Sequence, residues 1–475
     1  MPDSSDPTTH DKTAYDLIVI GSGPGGYVAA IRASQLGLRT AVVEKDPYLG
    51  GTCLHRGCIP TKALLHSAHL LDEIRTAGLC GIMVEEPSYD LEKVHGYKRK
   101  VVQKNAGGIQ FLFRKNKIEF LHGFGRVAGP HTVEVERDGA RQAYSTRFIL
   151  VATGSVPRDI GVAPADGQRI LNSDHALEIP QIPGSIAVLG AGAVGTEFAS
   201  IFRSFGADVT LIEAMPRLLP IEDEESSAEV ERKFRKRGIK VLRGAKLDSV
   251  ERTPSGVRLV VFQGGETRLV ETDALLVAVG RMPLTAGIGL EEAGVELERG
   301  YLKVDAHMRT AVPSIFAIGD VVQTPWLAHV ASAEGILAVE TMAGHPGARP
   351  IDYGLVPSCT YCEPEVASIG LTEAKARELG YEVQVGKFPF SALAKAAMLH
   401  TTEGFVKIVR DVKYDEVLGV HIVGPNATDL IGEACVAMGL EITTEELMRT
   451  MHAHPTLAEG IAEAAHAAMG HAIHI

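Results

Sequence analysis

The sequence predicts an α/β chain: two parallel-sheet units of one local design, then a C-terminal α+β module. Three observations carry this. A strand–glycine-loop–helix–strand unit ending in an acid occupies residues 15–44. The same unit recurs over 185–213. From 351 onward the pattern changes to long strands (365–370, 405–410, 417–423) followed by helices, with no such unit.

In the first unit, residues 15–20 are a short apolar, β-branched run. It leads into Gly21-x-Gly23-x-x-Gly26, a helical stretch, and a second apolar run ending in Glu44. Gly21 permits a tight turn, Gly23 lets backbone approach a pyrophosphate, and Gly26 allows close helix–strand packing. The helix N-terminus favours phosphate charge, and Glu44 would accept from ribose hydroxyls. The second unit has Gly190, Gly192, Gly195 and Glu213. First glycine and acid are 23 positions apart in both copies. Strand, glycines, helix, strand and acid in register make a Rossmann-like dinucleotide site, where glycine spacing alone would be weak. Glu213 favours NAD over NADP because it would repel a 2′-phosphate; Arg217 stands close by.

Between the units, Cys53 and Cys58 lie in Gly50-Gly-Thr-Cys-Leu-His-Arg-Gly-Cys-Ile-Pro-Thr-Lys62. A regular helix would put their Cα atoms about 8–9 Å apart, whereas a disulfide needs about 4.4–6.8 Å. If they bridge, the helix must be distorted, and Gly57 supplies the freedom. So short a loop makes a poor staple and suits a bond that opens and closes.

These motifs resemble the pyridine nucleotide–disulfide oxidoreductases, from about Tyr15 to the C-terminus. The likeness includes Ala152-Thr-Gly154, Val279-Gly-Arg-Met-Pro283, Ile315-Phe-Ala-Ile-Gly-Asp320 and His452-Ala-His-Pro-Thr-Leu-Ala-Glu459. The resemblance is strongest to the branch that oxidises protein-bound dihydrolipoamide. It implies FAD at the first fingerprint, NAD at the second, and a flavoprotein with a redox-active Cys53–Cys58 disulfide. It also implies Asp320 on the flavin's ribityl chain, Lys62 beside the flavin ring, and Glu197 near Lys62 and the nicotinamide. Thr52, Thr153, Gly154, Gly280, Arg281 and His329 are assigned to the cofactor sites in the same way. Cys53 is expected to exchange with substrate and Cys58 to face the flavin. The chain departs from the family at His55, usually asparagine, and at Thr61, often serine. His55 and Arg56 are expected to add positive charge that favours thiolate.

His454 precedes Pro455, at a break ahead of a helix, and the family pattern places the base immediately before that proline. His454 rather than His452 is therefore expected to deprotonate a substrate thiol, oriented by Glu459. Thr456 and Glu459 also fit a capping box. The C-terminal module is implied to pair with its twin in a homodimer, setting His454 and Glu459 of one chain over the cysteines of the other. Expected partners are the lipoyl-bearing subunits of 2-oxoacid dehydrogenase or glycine cleavage complexes. Alternatives are a glutathione-type or mercuric reductase, or a flavin-binding subunit without turnover. The first would carry basic residues where Glu213 stands. The second would carry a vicinal cysteine pair near the C-terminus, where this chain ends His-Ala-Ile-His-Ile. The third gives no reason for Cys53, Cys58, His454 and Glu459 together.

Composition sets limits. The 475 residues allow three or four domains. Those expected are a disordered tail over 1–14, an FAD-binding part over 15–155, an NAD-binding domain over 156–280, a return to the flavin region over 281–350, and the dimerisation module over 351–475. A formal charge of −12 argues against a nucleic-acid-binding surface. No apolar run is long enough for a membrane span. The polar N-terminus resembles neither signal nor transit peptide. With six cysteines, this favours a cytoplasmic protein with reduced thiols. Cys359-x-x-Cys362 has redox or zinc spacing without a second ligand pair, so no metal site is expected. Cys80 and Cys435 read as buried small residues, and one helical stretch is expected from 64 to about 113.

Overall fold

The computed structural model describes residues 14–475. The tail expected over 1–14 lies, Ala14 aside, outside the described residues. The chain divides into two compact units. The first comprises residues up to Pro60, Lys98–Val156 and Arg281–Tyr353, and the second Thr61–Tyr97, Pro157–Gly280 and Gly354–Ile475.

The first unit is built on a seven-stranded sheet. Strand Ala14–Ile20 lies between the parallel strands Thr40–Glu44 and Ala140–Val151, and Glu119–His122 and Ile315–Ala317 extend the parallel part. Val19 stands opposite Val42 and Leu150. All three are fully buried, as expected of strands covered on both faces. Thr132–Arg137 and Phe124–Gly129 add an antiparallel edge. Helices Pro24–Gln35 and Ala328–Met342 pack together, with Gly25 and Gly335 at their contact.

The second unit holds another parallel sheet of five strands. Their order is Lys240–Arg243, Asp208–Glu213, Ser185–Leu189, Ala274–Val277 and Ile170–Leu171. Helix Ala193–Ser204 is anchored on it by buried Phe198 and Phe202, whose rings stack at 6.0 Å. A three-stranded antiparallel sheet follows over Ala245–Arg252, Val257–Gln263 and Glu266–Thr272. The C-terminal module is a five-stranded antiparallel sheet: Ser358–Thr360, Glu365–Gly370, Val417–Gly424, Phe405–Asp411 and Val383–Pro389. Helices Ala427–Gly439 and Glu459–Ala468 pack on it. Gly386 lets the last helix approach, since a Cβ there would meet Ala464 O at 2.0 Å.

The stretch expected to be one helix is two. Cys58–Thr76 ends in a 3₁₀ turn, Ala77–Cys80, and Leu91–Lys115 begins afresh. Gly78, Gly81 and Pro87 break the pattern between them. Cys80 is exposed on that turn rather than buried, and Cys435 is half-buried. Among the described residues no helix is long and apolar enough to cross a membrane.

Candidate active site

The two fingerprints fold alike. Gly21 and Gly190 take φ of +106° and +98°, and a Cβ on them would strike Ala152 O at 2.2 Å and Ala278 O at 2.4 Å. Gly26 and Gly195 let each helix sit on its own loop, where a Cβ would lie 2.0 and 1.8 Å from the carbonyl oxygens of Gly21 and Gly190. Gly23 and Gly192 differ: a Cβ there would meet nothing within 4 Å. Both are helix N-caps without a side-chain cap, so N–H groups of the first turn remain for a phosphate.

The acids fit ribose recognition. Glu213 accepts from Ala191 N at 2.6 Å through Oε2 and from Met215 N at 2.7 Å through Oε1. Each oxygen keeps a lone pair for a hydroxyl. Glu44 is held more fully: Oε2 accepts from Ser22 N at 3.0 Å and Ser22 Oγ at 2.7 Å, and Oε1 from Asp46 N at 3.0 Å. Its remaining capacity is on Oε1. Arg217 donates to Glu224 Oε1 at 2.7 Å and to Pro220 O at 2.9 Å, which explains its presence without a 2′-phosphate.

Cys53 and Thr52 lie on helix Gly51–Arg56, and Cys58 opens the next helix, Cys58–Thr76. Gly57 interrupts the two, and a Cβ there would come within 3.1 Å of Thr52 O and 3.3 Å of Cys53 Cα. The same second helix carries Lys62 one turn on. Glu197, nearly buried, binds Lys62 Nζ through Oε1 at 2.8 Å and Oε2 at 2.9 Å. Tyr361 donates its backbone N–H to Glu197 Oε1 at 3.0 Å, and its ring centroid lies 4.6 Å from Lys62 Nζ. Burial raises the Tyr361 hydroxyl above the usual tyrosine range.

In the first unit, Arg281 Nε donates to Ser155 Oγ at 2.7 Å and its Nη2 to Ser155 O at 2.7 Å. The Ser155 hydroxyl in turn donates to Asp320 Oδ2, which leaves Oδ1 for a further donor. Thr153 Oγ1 donates to Leu284 O at 2.6 Å, and Gly154 accepts from Leu284 N at 2.8 Å. Buried Glu334 supports the turn Gly319–Val321, accepting from Gly319 N at 2.7 Å and from the Tyr353 hydroxyl at 2.8 Å. Burial, opposed by these bonds, still leaves its carboxyl above the ordinary range. His329 sits in the first turn of helix Ala328–Met342. Gly280 has φ +100° and accepts from Arg158 N.

His454 and Glu459 belong to the second unit. His454 Nδ1 is 2.8 Å from Glu459 Oε1, and the imidazole is 74% exposed. Glu459 Oε2 accepts from Thr456 N at 2.8 Å, but Thr456 Oγ1 donates to Ala453 O. Only half of the expected capping box forms. Burial pushes the Glu459 carboxyl up; the bonds from Thr456 N–H and His454 outweigh it and hold the carboxyl below the ordinary range. His452 is engaged at both nitrogens, with Thr450 O at 2.9 Å and Glu433 Oε1 at 2.7 Å, and only 8% of its side chain is exposed. Of the two rings, the exposed one, held at Nδ1 by Glu459, is that of His454.

Cys359 and Cys362 sit where burial disfavours the thiolate. Burial pushes the Cys359 thiol up to about 12 and raises that of Cys362 as well, and Cys362 Sγ donates to Pro364 O at 3.2 Å. The sequence reading missed Ser22, Ser155, Glu334, Tyr353 and Tyr361. Ser22 and Ser155 adjoin motif glycines, which is a signal of sorts; the other three have none.

Comparison with known proteins shows the family. Residues 15–335 match the pyridine nucleotide-disulphide oxidoreductase family, and 356–465 its dimerisation domain. The dihydrolipoyl dehydrogenase of Bacillus subtilis is 45% identical over 474 residues, covering 97% of this chain and 99% of that one. The mitochondrial enzyme of Pisum sativum is 40% identical, covering 97% and 92%. Among solved structures, LpdA of Mycobacterium tuberculosis matches with a TM-score of 0.88 and 30% identity, over 94% of this chain and 98% of that one. The flavoprotein disulfide reductase RclA of Escherichia coli matches with a TM-score of 0.84 and 25% identity, over 95% and 99%. The chain belongs to the pyridine nucleotide-disulphide oxidoreductase family.

Proposed function

We propose that the chain is a dihydrolipoyl dehydrogenase: it oxidises protein-bound dihydrolipoamide to lipoamide and reduces NAD⁺ to NADH. The observation that carries this is the cysteine pair straddling the helix break at Gly57, attached to the first of two dinucleotide fingerprints. Near-full-length identity to enzymes of that name supports it.

FAD at the first fingerprint and NAD at the second supply the carriage of electrons away from the thiols. Gly23, Gly192 and the helix N-termini would hold the pyrophosphates, and Glu44 and Glu213 the riboses. Lys62 and Glu197 hold a fixed charge pair one helical turn beyond Cys58.

The chain's own residues perform the thiol exchange. A free thiol with pKa near 8.5 is only about 3% thiolate at pH 7, so a base is needed. His454 takes the proton through Nε2 while Glu459 holds Nδ1–H and stabilises the charged ring. The substrate thiolate attacks Cys53 Sγ; the Cys53–Cys58 bond breaks and Cys58 leaves as thiolate. The second substrate thiol, deprotonated in turn, attacks the substrate sulfur of the mixed disulfide and releases Cys53. Substrate ends oxidised and the cysteine pair reduced.

The chain carries a dimerisation domain over 356–465. We read the base and the cysteines of one active site as coming from two chains of a homodimer. The lipoyl-bearing partners are the subunits of a 2-oxoacid dehydrogenase or glycine cleavage complex, in the cytoplasm.

The test is a substrate panel on purified, FAD-loaded protein. Dihydrolipoamide with NAD⁺ is expected to turn over at least a hundredfold better than glutathione disulfide with NADPH or Hg²⁺ with NADPH. A preference for either of the latter would overturn the assignment.

A further inference from the structure

The two residues beside the cysteines, His55 and Arg56, were expected to act as charge. Their contacts give them a different part. Arg56 Nη2 is paired with Asp46 Oδ2 at 2.7 Å. His55 Nε2 lies 2.8 Å from Leu49 O, so that nitrogen carries a proton, and the ring sits 4.2 Å from Tyr48. Both therefore grip the loop between Glu44 and Gly50. That loop is tied to the first fingerprint. Asp46 N donates to Glu44 Oε1, Ser22 donates twice to Glu44 Oε2, and Gly50 N donates to Ser22 Oγ at 3.1 Å. Gly51 packs on Gly23, where a Cβ would lie 2.7 Å from Gly23 Cα. The contacts form a closed ring: Arg56, Asp46, Glu44, Ser22, Gly50, Leu49, His55.

We propose that His55 and Arg56 are positioning residues that strap the cysteine helix to the ribose-acid loop, coupling dinucleotide retention at the first fingerprint to the reactivity of Cys53. Any loosening of the strap then moves both properties at once. This rests on the reading of Cys53 and Cys58 as the redox pair. A failure of that reading would show separately, as an oxidised enzyme whose mass contains no Cys53–Cys58 bond.

The test is a double-mutant cycle on the holoenzyme with Asp46→Asn, Arg56→Gln and their combination. Two rates are read: FAD release on dilution, from flavin fluorescence, and alkylation of Cys53 after reduction, from peptide mass. Loss of one charge-assisted hydrogen bond is expected to raise both rates about fivefold in either single variant, with no further increase in the double. A second construction, Asp46→Arg with Arg56→Asp, restores the pair with its charges exchanged and is expected to return both rates toward wild type. If Arg56 instead acts on the thiolate by charge, Asp46→Asn and Arg56→Gln will move Cys53 alkylation in opposite directions. That result, an additive double variant, or FAD release within twofold of wild type in both singles overturns the proposal.

Discussion

Glu197 grips Lys62 through both carboxylate oxygens, at 2.8 and 2.9 Å, while Tyr361 closes the other side with its ring 4.6 Å from Nζ. Two residues thus fix one cation. Tyr361→Phe keeps the ring face and is expected to leave turnover within twofold, whereas Tyr361→Leu removes a cation–π contact of about 0.5–1 kcal/mol. Glu197→Gln takes away the counter-charge, and kcat is expected to fall about tenfold, equivalent to about 1.4 kcal/mol, with FAD still bound. Steady-state kinetics beside the flavin absorbance spectrum check this; unchanged kcat in Glu197→Gln would remove the pair from the account.

The ribose role proposed for Glu213, whose oxygens are each held by one backbone N–H, sets an expected cofactor choice. NAD⁺ is expected to exceed NADP⁺ in kcat/KM by at least a hundredfold. Glu213→Gln should narrow that ratio by raising KM for NAD⁺. A wild-type preference for NADP⁺ would refute the ribose role.

The second unit contains a buried cation whose removal should be felt strongly. Lys407 Nζ lies 3.0 Å from Asp223, 2.8 Å from Glu225 and 2.9 Å from Glu373, and its side chain is 2% exposed. Burial alone would lower Lys407, but bonds to Glu225, Glu373 and Asp223 outweigh it and hold it above the ordinary lysine range. Burial likewise pushes Asp223 and Glu225 up, yet their cationic partners, Lys407 among them, keep both below the ordinary range; Glu373 is lowered chiefly by Lys407. The carboxylate contribution is present above about pH 4 and is lost as pH falls through their native values. The lysine contribution is present below about pH 10.4 and is lost as pH rises through its native value. His421, held below the usual range by burial, adds an acid-side loss that begins below about pH 6.5. Lys407→Met leaves Asp223 a buried, uncompensated charge, and the expected loss is about 3–5 kcal/mol. Glu225, 41% exposed, adds little. Thermal midpoints should fall markedly at pH 7 and less near pH 4, where the buried Asp223 of the variant, without its lysine, takes up a proton; an equal drop at both would contradict the ion-pair origin.

Complementation checks the division of each active site between chains. A Cys53→Ser chain and a His454→Ala chain, mixed so that subunits exchange, should form heterodimers with one intact site and regain part of the activity. A two-fold interface makes the two sites equivalent. No recovery despite proven heterodimers would defeat the shared site.

How much was legible in the sequence depended on chain distance. The fingerprints were readable because Gly21, Gly26 and Glu44 act within one strand–helix–strand unit, where local sterics dictate residue type. Gly57 was readable for the same reason. Ser155 and Asp320 are 165 positions apart, and Tyr361 and Glu197 are 164 apart. No local pattern announces such contacts, since the tertiary fold alone creates them. The helix expected to run unbroken is interrupted over 77–90, where Gly78, Gly81 and Pro87 end the hydrogen-bond ladder. His55 and Arg56 were visible as charges, but their partners Leu49 and Asp46 appear only once the loop is folded.

The most direct measurement is NADH formation from dihydrolipoamide and NAD⁺ by the FAD-loaded wild type and by Cys53→Ser, side by side. The account predicts saturable turnover in the wild type and a fall of at least a thousandfold in kcat for Cys53→Ser, with FAD retained by both. A wild type that binds FAD and NAD⁺ but forms no NADH, or a Cys53→Ser variant that turns over normally, would contradict it.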